Sequence, residues 1–166
     1  MRVYLASFSR PFLFQKKSVS IRIIKTITTP LINCPLVIKL SSGLSVKKVL
    51  ERLIIAGLGS IPGGGAEILS DRVRQLTAPR KCSADQWIEV MEEAHKQGLR
   101  TTATMMFGHV ETLEERFIHL IKIREVQDMK PEGANGFLAF IPWTFQDVDT
   151  LLTKIRGVHN LTTTDE

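Results

Sequence analysis

From Ser45 onward the chain switches repeatedly between helical and strand periodicity. Ser45 can cap a helix whose apolar positions are Val46, Val49, Leu50, Leu53 and Ile54, the spacing of a single helical face. Gly57 closes it. Leu58 to Ile61 reads as a short strand. Ala66 to Leu76 reads as a short helix, and Pro79 breaks the chain after it. Ser83 and Gln86 form a capping box that opens the next helix, with Trp87, Val90, Met91 and Ala94 as its buried stripe and Gly98 at its end. Thr101 to Phe107 is a strand of β-branched residues and methionines. A second capping box, Thr112 with Glu115, opens a helix to about Gln127, with Leu113, Phe117, Leu120 and Ile121 expected to face inward. Phe137 to Trp143 is a further strand, and from Gln146 the chain is polar and weakly helical.

This alternation belongs to the α/β class, with parallel strands joined by helical crossovers. Three strands are distinct, or four if one lies before residue 41. A complete eight-stranded (β/α) barrel needs ~250 residues, so 166 residues are short for one. Residues 41–146 carry the periodic pattern. Residues 1–40 form a basic segment, irregular or β-rich, with Val19 to Thr28 dense in β-branched residues. Residues 147–166 form a polar tail.

Charge divides the chain unevenly. Residues 1–50 hold nine Lys/Arg and no acid, a balance of +9, whereas residues 51–166 hold thirteen Lys/Arg against seventeen acids, a balance of −4. A basic arm, a leader sequence, or a segment foreign to the domain behind it would each produce this division. The basic residues are dispersed and lack a nucleic-acid-binding pattern. No apolar run reaches the ~20 residues of a membrane-spanning helix, so neither nucleic acid nor membrane is an expected partner. Cys34 and Cys82, 48 positions apart, form neither a disulfide framework nor a local metal motif, which fits a reducing cytoplasm.

Ligands of parallel α/β folds bind at the carboxyl ends of the strands. Three segments there carry chemistry. Gly63, Gly64 and Gly65 follow Pro62 and lead to Glu67; glycine N–H groups at a helix start can meet an anionic or carbonyl group, and Glu67 can accept from a hydroxyl or an amine. The segment lacks the Gly-Lys-Ser/Thr ending of a phosphate loop and the dinucleotide fingerprint. A tight turn with Glu67 at a helix N-terminus is the plainer reading. His109 and Glu111, two apart in Gly108-His109-Val110-Glu111, could act as acid and base or hold a polar substrate, or be a solvated His and a helix-start Glu. Trp143, after Phe140-Ile141-Pro142, could stack on a flat ring or simply cover the core.

Taken together, Ser60-Ile61-Pro62-Gly63-Gly64-Gly65-Ala66-Glu67-Ile68-Leu69, Leu99 to Thr112 with its Thr101-Thr102-Ala103-Thr104-Met105-Met106 run, and Phe140-Ile141-Pro142-Trp143 resemble the radical S-adenosylmethionine (SAM) enzymes of the futalosine route to menaquinone. The resemblance spans about Ser42 to Gln146 and is nearest to the dehypoxanthine futalosine cyclases. Aminodeoxyfutalosine synthases and the deazaflavin-forming enzymes of coenzyme F420 synthesis are sister families. It implies that this chain forms a partial TIM-type (β/α) barrel of three to four parallel strands, from a fold in which a [4Fe–4S] cluster cleaves SAM and the resulting radical cyclises a nucleoside-type substrate. It also implies Gly63, Gly64, Gly65 and Glu67 near the cofactor, and His109, Glu111 and Trp143 in the substrate pocket.

The family's Cys-x-x-x-Cys-x-x-Cys cluster loop is missing from these residues. The expectation is therefore a fragment of such an enzyme, inactive by itself. A subunit of a split barrel completed by a partner chain, or a non-catalytic module binding SAM or a nucleoside, are the other readings. A site-differentiated cluster needs three clustered thiolates, and the chain has two cysteines in all. Anaerobic reconstitution of the purified chain with iron and sulfide should accordingly leave it colourless; stoichiometric cluster iron with the matching visible absorption would refute the reading.

Overall fold

The computed structural model describes residues 43–160 and residue 162. The strand expected between Val19 and Thr28 lies outside them, as does Cys34. In chain order the elements are α1 (Val46–Ile55), β1 (Ser60–Ile61), α2 (Asp71–Thr77), α3 (Ala84–Lys96), β2 (Arg100–Phe107), α4 (Leu113–Asp128), β3 (Phe137–Thr144) and α5 (Leu151–Arg156). The three strands form one parallel sheet in the order β1-β2-β3, the α/β arrangement that the alternation demands.

Local chemistry sets most boundaries. The Ser45 hydroxyl accepts from Lys48 N–H, and both expected capping boxes are formed, Ser83 with Gln86 and Thr112 with Glu115. Each satisfies two N–H groups that the first helical turn would leave unpaired. Gly57 and Gly98 have φ of +101° and +74°, conformations that a side chain would oppose.

The core lies between the α1–α3 layer and the sheet. Val46 and Leu50 of α1 join Trp87, Val90, Met91 and Ala94 of α3, and these pack with Ile61, Ala103, Ile123 and Val126. The indole of Trp87 stacks on Phe137 at 6.0 Å between centroids. The stripe expected on α3 is therefore the stripe that is buried.

Two expectations fail. The first concerns Ala66–Leu76: residues 66–70 are irregular, and α2 starts only at Asp71. Glu67 has φ +39°, and its carbonyl accepts from Met106 N–H of β2. The carbonyls of Gly65 and Ala66 accept from the Arg74 guanidinium, each at 2.9 Å. With these carbonyls committed elsewhere, the helical ladder cannot begin before residue 71.

The second concerns α4. Leu113, Phe117, Leu120 and Ile121 are 63, 57, 39 and 55 % exposed, and the inward residues are His119, Ile123 and Val126. His119 Nδ1 accepts Leu69 N–H at 3.0 Å, and this buried bond fixes which face of α4 meets the sheet.

β3 is exposed along nearly its whole length, with Leu138, Phe140, Ile141 and Trp143 all accessible, whereas strands of a purely parallel sheet are usually covered on both faces. The accessible rows on α4 and β3 contribute apolar surface without core packing. Phe117→Glu should shift the thermal midpoint by no more than a few degrees while lowering binding of an apolar dye. Val126→Asp places a charge in the core and should unfold the domain, costing about 3 kcal/mol or more. A Phe117→Glu variant that melts as early as Val126→Asp would overturn this assignment of faces.

Candidate functional site

All three strands run in parallel, so the segments after them gather at one end of the sheet. The chain does not turn away after β1. The Thr102 hydroxyl accepts Gly63 N–H at 2.7 Å, and the Thr104 hydroxyl donates to the Gly63 carbonyl at 2.6 Å. Residues 63–67 thus continue alongside β2 as far as Met106. A Cβ on Gly63 would lie 2.1 Å from the Thr102 carbonyl oxygen. The first glycine of the triplet is required by close approach to β2, and its N–H is spent on Thr102. Gly65, at φ +87°, faces open space.

At the carboxyl end of the sheet the backbones of Glu67, Met106 and Trp143 lie in one row. Glu67 and Met106 share a backbone hydrogen bond, and Met106 is the register partner of Trp143. Trp143 is 39 % exposed. The Glu67 carboxylate is largely covered and pairs with Lys81. Behind this row sits Arg74, 4 % exposed. Its guanidinium donates to the carbonyls of Gly65, Ala66 and Cys82, which joins the glycine segment to the loop before α3.

The Gly108–Glu111 loop is built around two buried side chains. Glu111 accepts from the backbone N–H groups of Gly108 and His109 and from Arg116 Nε at 2.8 Å. Burial alone would raise its pKa, but these N–H groups and the neighbouring imidazole hold it below the usual carboxylate value. The expectation of a solvated His109 is not met, because its side chain is fully enclosed. His109 Nδ1 accepts Val110 N–H at 2.7 Å and lies 3.2 Å from Glu111 Oε2, and Nε2 lies 3.1 Å from the Met106 carbonyl. Burial lowers its pKa against the opposing pull of Glu111. Phe145 meets the ring edge-on at 5.7 Å.

A second brace links this loop to α2. Arg72 donates to both Glu115 oxygens and to the Val110 carbonyl, and Ser70 donates to Glu115. The Arg72 guanidinium holds the Glu115 pKa down at about 2.

The structure thus brings Gly63–Glu67, the His109–Glu111 loop and Trp143 to one end of one sheet, with His109 and Glu111 turned inward to brace their own loop. Sequence reasoning missed Arg74, Lys81 and His119. A solitary Arg in a short helix reads as solvated, no spacing rule connects Lys81 with Glu67, and His119 reads as an unremarkable mid-helix residue. Among the described residues no group of three His, Cys, Asp or Glu could hold a metal ion, and no helix is long and apolar enough to cross a membrane.

Comparison with known proteins accords with this geometry. A family model described as the Radical SAM superfamily matches residues 16–121, more than half of the chain. One described as the CofH/MqnC C-terminal region matches residues 134–166. Among curated relatives, an aminodeoxyfutalosine synthase of Thermus thermophilus is 44 % identical over 120 residues, covering 72 % of this chain and 31 % of the relative. A 5-amino-6-(D-ribitylamino)uracil–L-tyrosine 4-hydroxyphenyl transferase of Methanosarcina mazei is 50 % identical over 105 residues, covering 63 % of this chain and 26 % of the relative. The chain spans less than a third of the length of either.

The buried histidines make the fold sensitive to acid. Burial lowers the pKa of His119 from 6.5 to about 4 and also lowers those of His95 and His109. The unfolded chain therefore takes up protons on these rings at a higher pH than the folded one. Stability should be full above pH 6.5 and fall as the pH drops toward 4. Glu115 acts at lower pH: its contribution is present above 4.5 and is lost as the pH approaches 2. Thermal midpoints measured against pH should show both phases. His119→Gln should flatten the upper phase and Arg72→Met the lower; variant curves parallel to the parent would contradict the assignments.

Proposed function

The chain belongs to the radical SAM superfamily, and on that premise we propose that it forms the SAM- and substrate-facing middle of an enzyme of menaquinone synthesis that cyclises dehypoxanthine futalosine. The convergence of the Gly63–Glu67 segment, the Gly108–Glu111 loop and Trp143 at the carboxyl end of one parallel sheet carries this reading. The Thr101–Met106 run and the Trp143 that follows Phe140-Ile141-Pro142 favour the cyclase among its sisters.

In this proposal Glu67 receives the ammonium of the methionine part of SAM, which displaces Lys81 from the carboxylate. Gly64 and Gly65 leave room for the ligand beside the segment, and Gly63 holds the segment against β2. Trp143 offers its accessible ring to a flat base or aryl group. His109 and Glu111 border the substrate pocket by fixing the backbone of the Gly108 loop, since their polar atoms are engaged within it.

The superfamily works with SAM and a [4Fe–4S] cluster. The residues of this chain do not fit the cluster by themselves. Cys82 is the one cysteine among the described residues; its carbonyl and sulfur both accept from Arg74, and the sequence supplies only one more thiol. What this chain offers is binding and orientation: a carboxylate for an ammonium, an aromatic wall, and a braced loop.

A second reading rests on the similarity to the 4-hydroxyphenyl transferase, and would direct the same pocket to an amino-acid substrate such as L-tyrosine. Calorimetric titration with SAM should give saturable heat that Glu67→Gln weakens about ten-fold, the effect of losing ~1.4 kcal/mol from a charge-assisted bond. Trp143 fluorescence should then respond to dehypoxanthine futalosine and not to L-tyrosine. The reverse response would favour the transferase reading, and absence of SAM heat at millimolar ligand would remove both.

A further inference from the structure

Beside the Glu67–Lys81 pair, a groove of about 510 Å³ runs between the segment after α2 and the short helix α5. This is within the size range of small-molecule sites, ~300–1,000 Å³. Leu76, Pro79 and Leu152 supply apolar wall, and Arg80, Lys81 and Arg156 supply charge. No carboxylate stands among the residues lining it. Lys81 is paired with Glu67, whereas Arg80 and Arg156 have no carboxylate partner among the described residues.

The groove has a built frame. On one side, Arg74 holds the Cys82 carbonyl, and the Lys81 N–H donates to the Ala78 carbonyl at 2.9 Å, which fixes the turn carrying Arg80. On the other side, Thr150 caps α5 by accepting Thr153 N–H. Gly157 ends α5 with φ +64°, and the Thr153 hydroxyl donates to the Val158 carbonyl. Lys81 of one wall pairs with Glu67, and α5 of the other wall follows β3, so the groove lies beside the carboxyl end of the sheet.

We propose that this groove binds a small organic anion, a carboxylate or phosphate carried on an apolar or aromatic body. Two guanidinium groups suit such an anion because their planar donor forks match its paired oxygens. The leucines and Pro79 take the apolar part. Lys81 both lines the groove and pairs with Glu67, so an anion held there would sit near the Glu67 carboxylate, and a ligand bearing both an anion and a cation could engage the two in sequence. The inference rests on the groove alone and not on the proposed reaction, so SAM binding at Glu67 and anion binding here succeed or fail separately.

The test uses the full chain at low salt, titrated with sodium benzoate, phenyl phosphate, inorganic phosphate and, as the cationic control, benzylamine. Amide chemical shifts are followed by NMR. Saturable shifts confined to residues 76–81 and 151–157 with benzoate or phenyl phosphate, and none with benzylamine, are expected. The tighter of the two aryl anions identifies the head group as carboxylate or phosphate, and weaker binding of inorganic phosphate shows the apolar wall at work. Arg80→Gln and Arg156→Gln should each weaken binding about three- to ten-fold, the scale of a partly solvated charge contact. Both side chains are exposed, so the variants should keep the parent melting curve, and raising the salt should weaken the parent in the same direction. Absence of saturable shifts with every anion, equal binding of benzylamine, or unchanged affinity in both variants overturns the proposal.

Discussion

A buried guanidinium holds the segments at the carboxyl end of the sheet in shape. Ala66 is buried and Gly65 half-buried, their carbonyls lack helical or sheet partners, and an unsatisfied buried carbonyl costs about 1–3 kcal/mol. Arg74 supplies the missing donors to both, and a third to Cys82. A charged side chain inside a protein is itself costly unless its hydrogens are used, so the two difficulties offset each other. The arrangement delays α2 to Asp71 and keeps Glu67 in its unusual conformation. It also sets the loop before α3 close enough for Lys81 to reach Glu67.

Strand β2 is the other organising element. It is paired with β3 on one side, and on the other with β1 and then with the irregular chain through Glu67. Its threonine hydroxyls at 102 and 104 take over hydrogen bonding where regular pairing stops. The close contact at Gly63 excludes any side chain there. The glycine triplet thus divides its work, the first residue serving the fold and Gly65 leaving open space on the side where a ligand could approach.

Much of the fold was legible in the sequence because its determinants are local. The caps at Ser45, Ser83 and Thr112 act over three residues, and the α3 stripe repeats with the helical period. The α4 face was misread because its apolar residues do not all belong to the core: Leu113 and Phe117 are more exposed than His119, and the face that packs is chosen by a bond from His119 to Leu69, 50 residues away. The positions of Gly63–Glu67, His109 and Glu111 after strands, and of Trp143 near the end of one, were legible for the same local reason. Their partners were not. Glu111 gathers donors that only the folded loop presents, and Arg74 acts on carbonyls whose need for donors arises only once they are buried.

By itself, then, the sequence determined the order and type of the elements, the parallel character of the sheet, and which loops share its carboxyl end, since periodicity, capping and turn chemistry operate between near neighbours. Only the tertiary structure decided which way α4 faces, that residues 66–70 are not helical, and that Lys81, Arg80 and Arg156 stand around one groove. Those outcomes depend on hydrogen bonds and charges brought together across long stretches of chain, and their energies exist only after the intervening backbone has been placed.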